Sequence, residues 1–152
     1  MPELNESPWL YDEDCFVYSI RGGREITLGD SQVNSNQMGK RGVYIYNLIS
    51  NEGQLLIPDA HFAICSPINF QIGYVSDESI CLMDLKANST KVLYKLKSND
   101  KVYNMHWASN GKFIYIYYFT KQMPEEKLIE VSTDKEVAFR KMGLGFYSYR
   151  WK

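Results

Sequence analysis

Histidine occurs only twice and cysteine only three times in this 152-residue chain, which leaves little material for a metal centre or a disulfide framework. Cys15, Cys65 and Cys81 are odd in number, widely spaced and set in apolar runs. They read as buried, reduced thiols. No segment approaches eighteen uninterrupted apolar residues, and Met1 to Glu6 carry neither a basic nor an apolar leader pattern. The expectation is a cytoplasmic protein with no membrane partner. A stretch of 3.6-residue hydrophobic periodicity is also missing, so a helical domain is set aside and helix should stay below about a tenth of the residues, against the usual third. The five prolines, Pro2, Pro8, Pro58, Pro67 and Pro124, are expected between strands, where a missing N–H breaks no ladder.

Catalytic signatures are scarce as well. No serine or cysteine sits in a nucleophile elbow. Gly22-Gly23-Arg24 and Gly39-Lys40-Arg41-Gly42 lack the spacing of a phosphate-binding loop and read as ordinary loop segments. His61 precedes an expected strand and His106 adjoins Trp107, which reads as equivalent placement in successive repeats rather than a catalytic pair. The acidic pairs Asp77-Glu78 and Glu125-Glu126 and the triplet Asp12-Glu13-Asp14 are expected in solvated turns, with nothing to fix two carboxylates at a working separation. No enzyme activity, cofactor or metal is therefore expected.

What the chain does have is aromatic content, 14% overall with twelve Tyr and seven Phe, residues suited to pleated, half-buried surfaces. Short alternating runs bounded by turn residues predict strands at 15–20, 42–49, 54–57, 62–65, 71–75, 79–85, 91–96, 102–107, 112–119, 127–131 and 136–141. Asn110-Gly111 should form the turn between two of them, with glycine at positive φ.

These strands group into repeats. Ile64-Cys65-Ser66-Pro67 leads through Gln71-Ile72-Gly73-Tyr74 to Ile80-Cys81-Leu82-Met83-Asp84-Leu85. Likewise His106-Trp107-Ala108-Ser109-Asn110-Gly111-Lys112 leads through Phe113-Ile114-Tyr115-Ile116 to Leu128-Ile129-Glu130-Val131. Cys65 and Trp107 are 42 residues apart, a period that suits a four-stranded propeller blade. A more divergent repeat runs from Trp9 through Phe16-Val17-Tyr18-Ser19 to Val43-Tyr44-Ile45-Tyr46-Asn47-Leu48. The pattern resembles the WD-repeat-like blades of the TolB type. That resemblance implies an all-β, antiparallel, partial propeller-like array of about three four-stranded blades, in one domain over 1–152 with repeats near 8–58, 59–98 and 99–141. Residues 145–151 resemble Val102 to Trp107 and are expected to add a terminal strand, within the chain or in a second molecule. A partial propeller, an open stack of sheets and a dimer completing a six-bladed ring all fit, and a closed monomeric ring fits least because closure usually takes four to eight blades.

Net charge is −1, which does not favour a nucleic-acid partner, but the sign is unevenly spread. Residues 1–60 hold nine acids against four bases, whereas the remainder holds thirteen bases against nine acids. Such asymmetry steers charged partners. The long 20–43 connection, with Arg21, Arg24, Asp30, Lys40 and Arg41, is a candidate contact element. Asp12, Glu13, Asp14 and Trp107 join it as candidate partner-binding residues, beside other aromatics at strand ends such as Trp9, Tyr11, Tyr103, Tyr147, Tyr149 and Trp151. The functional expectation is a non-enzymatic domain that binds and occludes another protein, in its sharpest form an immunity protein set against a basic toxin or nuclease domain. A homodimer is compatible with it. The alternatives are a small hydrolase or a small-anion sensor working from the loops.

Overall fold

The computed structural model describes residues 9–11, 13–20 and 40–137, and those residues contain strands and turns without helix. No helix among them is long and apolar enough to cross a membrane. The strands are β1 (Cys15–Ile20), β2 (Gly42–Asn47), β3 (Glu52–Pro58), β4 (Ala60–Cys65), β5 (Gln71–Ser76), β6 (Ser79–Asp84), β7 (Ser89–Lys95), β8 (Lys101–Trp107), β9 (Phe113–Phe119), β10 (Pro124–Glu130) and β11 (Lys135–Glu136). They form three antiparallel meanders: β1-β2-β3, β4-β5-β6-β7 and β8-β9-β10-β11. The first sheet has three strands among the described residues where four were expected, although Trp9 bridges Phe16 at its edge. Residues 21–39, the end of the expected strand at 138–141 and the terminal strand expected at 145–151 lie outside the described residues.

Hydrogen bonds make the repeat explicit. The amides of Leu10, Ser66 and Ala108 each donate to the carbonyl five residues ahead, on Cys15, Gln71 and Phe113, at 2.8 to 3.0 Å. The amides of Leu48, Leu85 and Val131 each donate at 2.9 Å to the residue just before that acceptor, namely Asp14, Phe70 and Lys112. Trp9, Cys65 and Trp107 are thus equivalent, as are Asn47, Asp84 and Glu130. Side chains at that last position organise the following turn. Asn47 Oδ1 accepts from the Ile49 and Ser50 amides, and Asp84 Oδ1 from the Ala87 amide. The Ala87 bond, helped by Gln71, holds the Asp84 carboxyl below the usual carboxylate range.

Two cores follow from strand alternation. On one face of the middle sheet, Ile72, Tyr74 and Cys81 pack with Cys15, Val17 and Val43 of the first. On its other face, Ile64, Val75, Ile80 and Leu82 pack with Met105, Trp107, Ile114 and Ile116 of the third. With both faces covered, β5 and β6 read as continuous apolar runs, whereas β1 alternates strictly between buried and half-buried positions. Gly73 sits at the second of these joints, where an added Cβ would lie 3.2 Å from both Ile114 Cδ1 and Ile64 Cγ1.

Three expectations are corrected. Pro58 and Pro124 are not between strands: they close β3 and open β10, strand ends that tolerate a missing N–H. Glu125 and Glu126 lie inside β10 rather than in a turn, held by the hydroxyls of Tyr118 at 3.1 Å and Tyr115 at 3.0 Å. His61 and His106 are not equivalent, because His106 pairs with Tyr115 as Ile64 pairs with Gly73; His61 lies earlier in β4, beside a bulge in which Phe62 takes φ 59°.

Candidate functional site

Each sheet has two faces, and the repeat assigns them roles. The face carrying Ile72, Tyr74, Cys81 and Met83 in the middle sheet packs on the first sheet, and its counterpart in the third, with Ile114, Ile116 and Ile129, packs on the middle one. In the first sheet the equivalent positions are Phe16, Tyr18, Tyr44 and Tyr46, joined by Trp9 at the place of Cys65 and Trp107. No described strand covers them. Ile72, Ile114 and Ile116 are fully buried, but the four aromatic residues are only half-buried, and Trp9 is 56% exposed against 8% for Trp107.

The aromatic groups form a connected surface. Trp9 meets Phe16 edge-on at 5.8 Å, Phe16 lies 5.3 Å from Tyr46 and 5.9 Å from Tyr18, and Tyr18 stacks on Tyr44 at 5.3 Å. Register builds this arrangement, since Phe16 pairs with Tyr46 and Tyr18 with Tyr44 across β1 and β2. On β3, Gly53 opposes Tyr46, and a Cβ there would come within 3.1 Å of the Tyr18 hydroxyl and 3.3 Å of the Tyr46 ring. The tyrosines therefore lean over the glycine. Tyr44 donates to the Lys40 carbonyl at 2.7 Å, and the Tyr46 hydroxyl donates to Asn51 Oδ1. Burial pushes the Tyr18 and Tyr44 hydroxyls above the ordinary phenol range, which keeps them neutral at physiological pH.

The candidate residues from the sequence divide around this surface. Glu13 and Asp14 are exposed in the turn before β1, at the end of the sheet where Cys15 pairs with Asn47. Lys40 and Arg41 are exposed at the opposite end, just before Gly42 pairs with Ile20. A six-residue strand spans roughly 20 Å, so the acids and bases are not brought together. Asp12, Arg21, Arg24 and Asp30 lie outside the described residues. Trp107 is corrected: it belongs to the core between the second and third sheets, and its indole N–H donates to the Ile64 carbonyl at 3.1 Å, so it offers no contact surface. Tyr11 and Tyr103 are exposed, at 42% and 54%. Phe16, Tyr18, Tyr44 and Tyr46 were not among the candidate residues, although aromatic residues at alternate positions in two adjacent strands were there to be read.

Two other clusters bear on chemistry. Tyr118, its hydroxyl 3.3 Å from that of Tyr94, donates to Glu125, while Lys127 bonds Glu136 at 2.8 Å. Burial first, then the Tyr94 and Glu125 contacts, pushes the Tyr118 hydroxyl strongly up, so it acts as a hydrogen-bond donor rather than a base. Cys15, Cys65 and Cys81 are all buried, and burial pushes the Cys65 thiol up to about 12. Among the described residues no group of three or more His, Cys, Asp or Glu is placed to hold a metal ion.

No family model matches the sequence, and no curated protein matches it. Among solved structures, the chain is similar to the Pyrococcus horikoshii acylaminoacyl peptidase (orthorhombic crystal form), with a TM-score of 0.59 and 16% identity. That match covers 83% of this chain and 23% of the peptidase. A match in the crystal structure of a mitotic checkpoint complex covers 45% of this chain and 20% of the other, at 10% identity and a TM-score of 0.40. At this level of identity the peptidase likeness speaks to fold alone, and it agrees with an all-β, propeller-like arrangement of antiparallel sheets of three or four strands.

Proposed function

We propose that this chain is a protein-binding domain whose contact surface is the aromatic outer face of the first sheet. One observation carries the reading: Phe16 and Tyr18 occupy repeat positions that the second and third sheets bury under a neighbouring sheet, with Ile72 and Tyr74 or Ile114 and Ile116, and Tyr44 and Tyr46 lie beside them on the same face, yet no described strand covers the four. Half-buried aromatic side chains packed against one another lose little conformational entropy on binding, which favours them as anchors. Occlusion of a partner is the corresponding mode of action. In its sharpest form the partner is a basic toxin domain, steered by the exposed acids Glu13 and Asp14 at the rim of the face.

The test is affinity capture of the partner from the native cell, followed by binding measurements on variants. Tyr46→Lys should weaken the complex by roughly tenfold or more, as loss of an interface anchor does. Glu13→Lys with Asp14→Lys should slow association and reduce its salt dependence if the partner is basic. Undiminished binding by a folded Tyr46→Lys protein would remove the reading, whereas undiminished binding by the acid variant would remove only the basic toxin.

A further inference from the structure

We propose that the occupant of the aromatic face is a second copy of this chain, which contributes the opposite face of its third sheet. This rests on reading the face as a protein-binding surface and names its partner. The described sheets stack in the same sense at both of their joints. The face bearing Val17 and Val43 on the first sheet meets the face bearing Ile72 and Tyr74 on the second. The face bearing Val75 and Ile80 on the second then meets the face bearing Ile114 and Ile116 on the third. Two terminal faces remain among the described strands. One is the aromatic face of the first sheet. The other belongs to the third sheet, where Tyr115 is buried, Tyr117 is half-buried and Phe119, 5.5 Å from Tyr117, is 40% exposed. These two faces stand where the two faces of each internal joint stand, with Glu126 and His106 in the third sheet at the places of Ile80 and Ile64 in the second.

A head-to-tail contact closes into a ring when the rotation allows, and a pair of copies related by a two-fold axis makes it twice. Two sets of three sheets give six, within the four to eight of closed propellers.

Sedimentation velocity on the full chain, with far-UV circular dichroism to confirm folding, tests this. The wild-type protein should sediment at twice 17.7 kDa. Tyr46→Lys disables one face and Phe119→Lys the other, so each alone should be monomeric. Mixing the two variants leaves one intact contact and should restore a dimer, of lower affinity than wild type. If Tyr46→Lys does not fold, Phe16→Lys takes its place. A monomeric wild-type protein overturns the proposal, as does a folded Tyr46→Lys protein that keeps the wild-type mass. A Phe119→Lys protein that dimerises unaided, with no gain on mixing, points to contact between two aromatic faces and also overturns it. A monomeric wild type that still loses a captured foreign partner on Tyr46→Lys leaves the protein-binding reading standing while the second copy falls.

Discussion

At position 111 the backbone allows almost nothing but glycine. Gly111 has φ 66°, its amide closes a turn onto the Ala108 carbonyl at 2.8 Å, and an added Cβ would sit 2.3 Å from Ile68 Cγ1. The Asn110-Gly111 signal in the sequence was therefore sound, though the connection is longer than a two-residue hairpin. Gly111→Val should cost about 1 kcal/mol or more from the left-handed backbone alone, with the Ile68 clash added. Thermal melts of Gly111→Val in wild-type and Ile68→Ala backgrounds separate the two, because Ile68→Ala relieves only the clash. Trp107→Phe should cost about 1 to 3 kcal/mol, since the buried Ile64 carbonyl loses its donor; an unchanged melting temperature would contradict the bond. Cys65 gives a pH dependence with a definite sign. Its folded pKa, about 12, lies above the unfolded value of 9.0, so below pH 9 both states hold the proton. Between those values the unfolded chain releases the proton first, and stability must fall as pH rises. Cys65→Ala should flatten that alkaline decline, which melts at stepped pH would reveal.

Elements obey a simpler rule, that a strand's pattern reflects how many of its faces are covered. The alternation in β1 was legible, and so was the grouping into three repeats, whereas β5 and β6, expected to alternate, are instead apolar on both faces. Strand ends were less so: β10 begins at Pro124, earlier than its hydrophobic run, because Glu125 and Glu126 are stabilised by tyrosine hydroxyls of β9 rather than by solvent. The candidate site was legible only in part. Aromatic residues at 16, 18, 44 and 46 mark one face, but Val17, Ser19, Val43 and Ile45 make the other face equally suited to burial. Which face meets a neighbouring sheet depends on contacts across 40 or more residues, as in the Ala63 amide donating to Ser19 Oγ at 3.4 Å. Trp107 misled for the same reason, because a tryptophan at a strand end looks identical whether it caps a core or faces solvent. The close approach at Gly73 supplies a test of the stacking. Gly73→Val should cost about 1 to 3 kcal/mol by overpacking the joint between the second and third sheets. Lys91, which reaches across that joint to the Val131 carbonyl and Asp134, is 41% exposed, and Lys91→Ala should cost less than about 1 kcal/mol. The reverse order in denaturant melts would mean that the joint rests on surface charge instead of packing.

For the molecule as a whole, one stacking rule repeats until the described strands end, and it ends on an aromatic face. Another protein surface should lie on that face when the protein works. Hydroxyl-radical footprinting read by mass spectrometry reports directly on those side chains. The protein is labelled alone at high dilution, and again in its complex, whether with a second copy at high concentration or with the captured partner. Phe16, Tyr18, Tyr44 and Tyr46 should lose reactivity together on complex formation, while Tyr74, already buried in the core, stays equally slow in both states. A complex that forms with all four aromatic residues as reactive as before would mean that the partner binds elsewhere on the molecule.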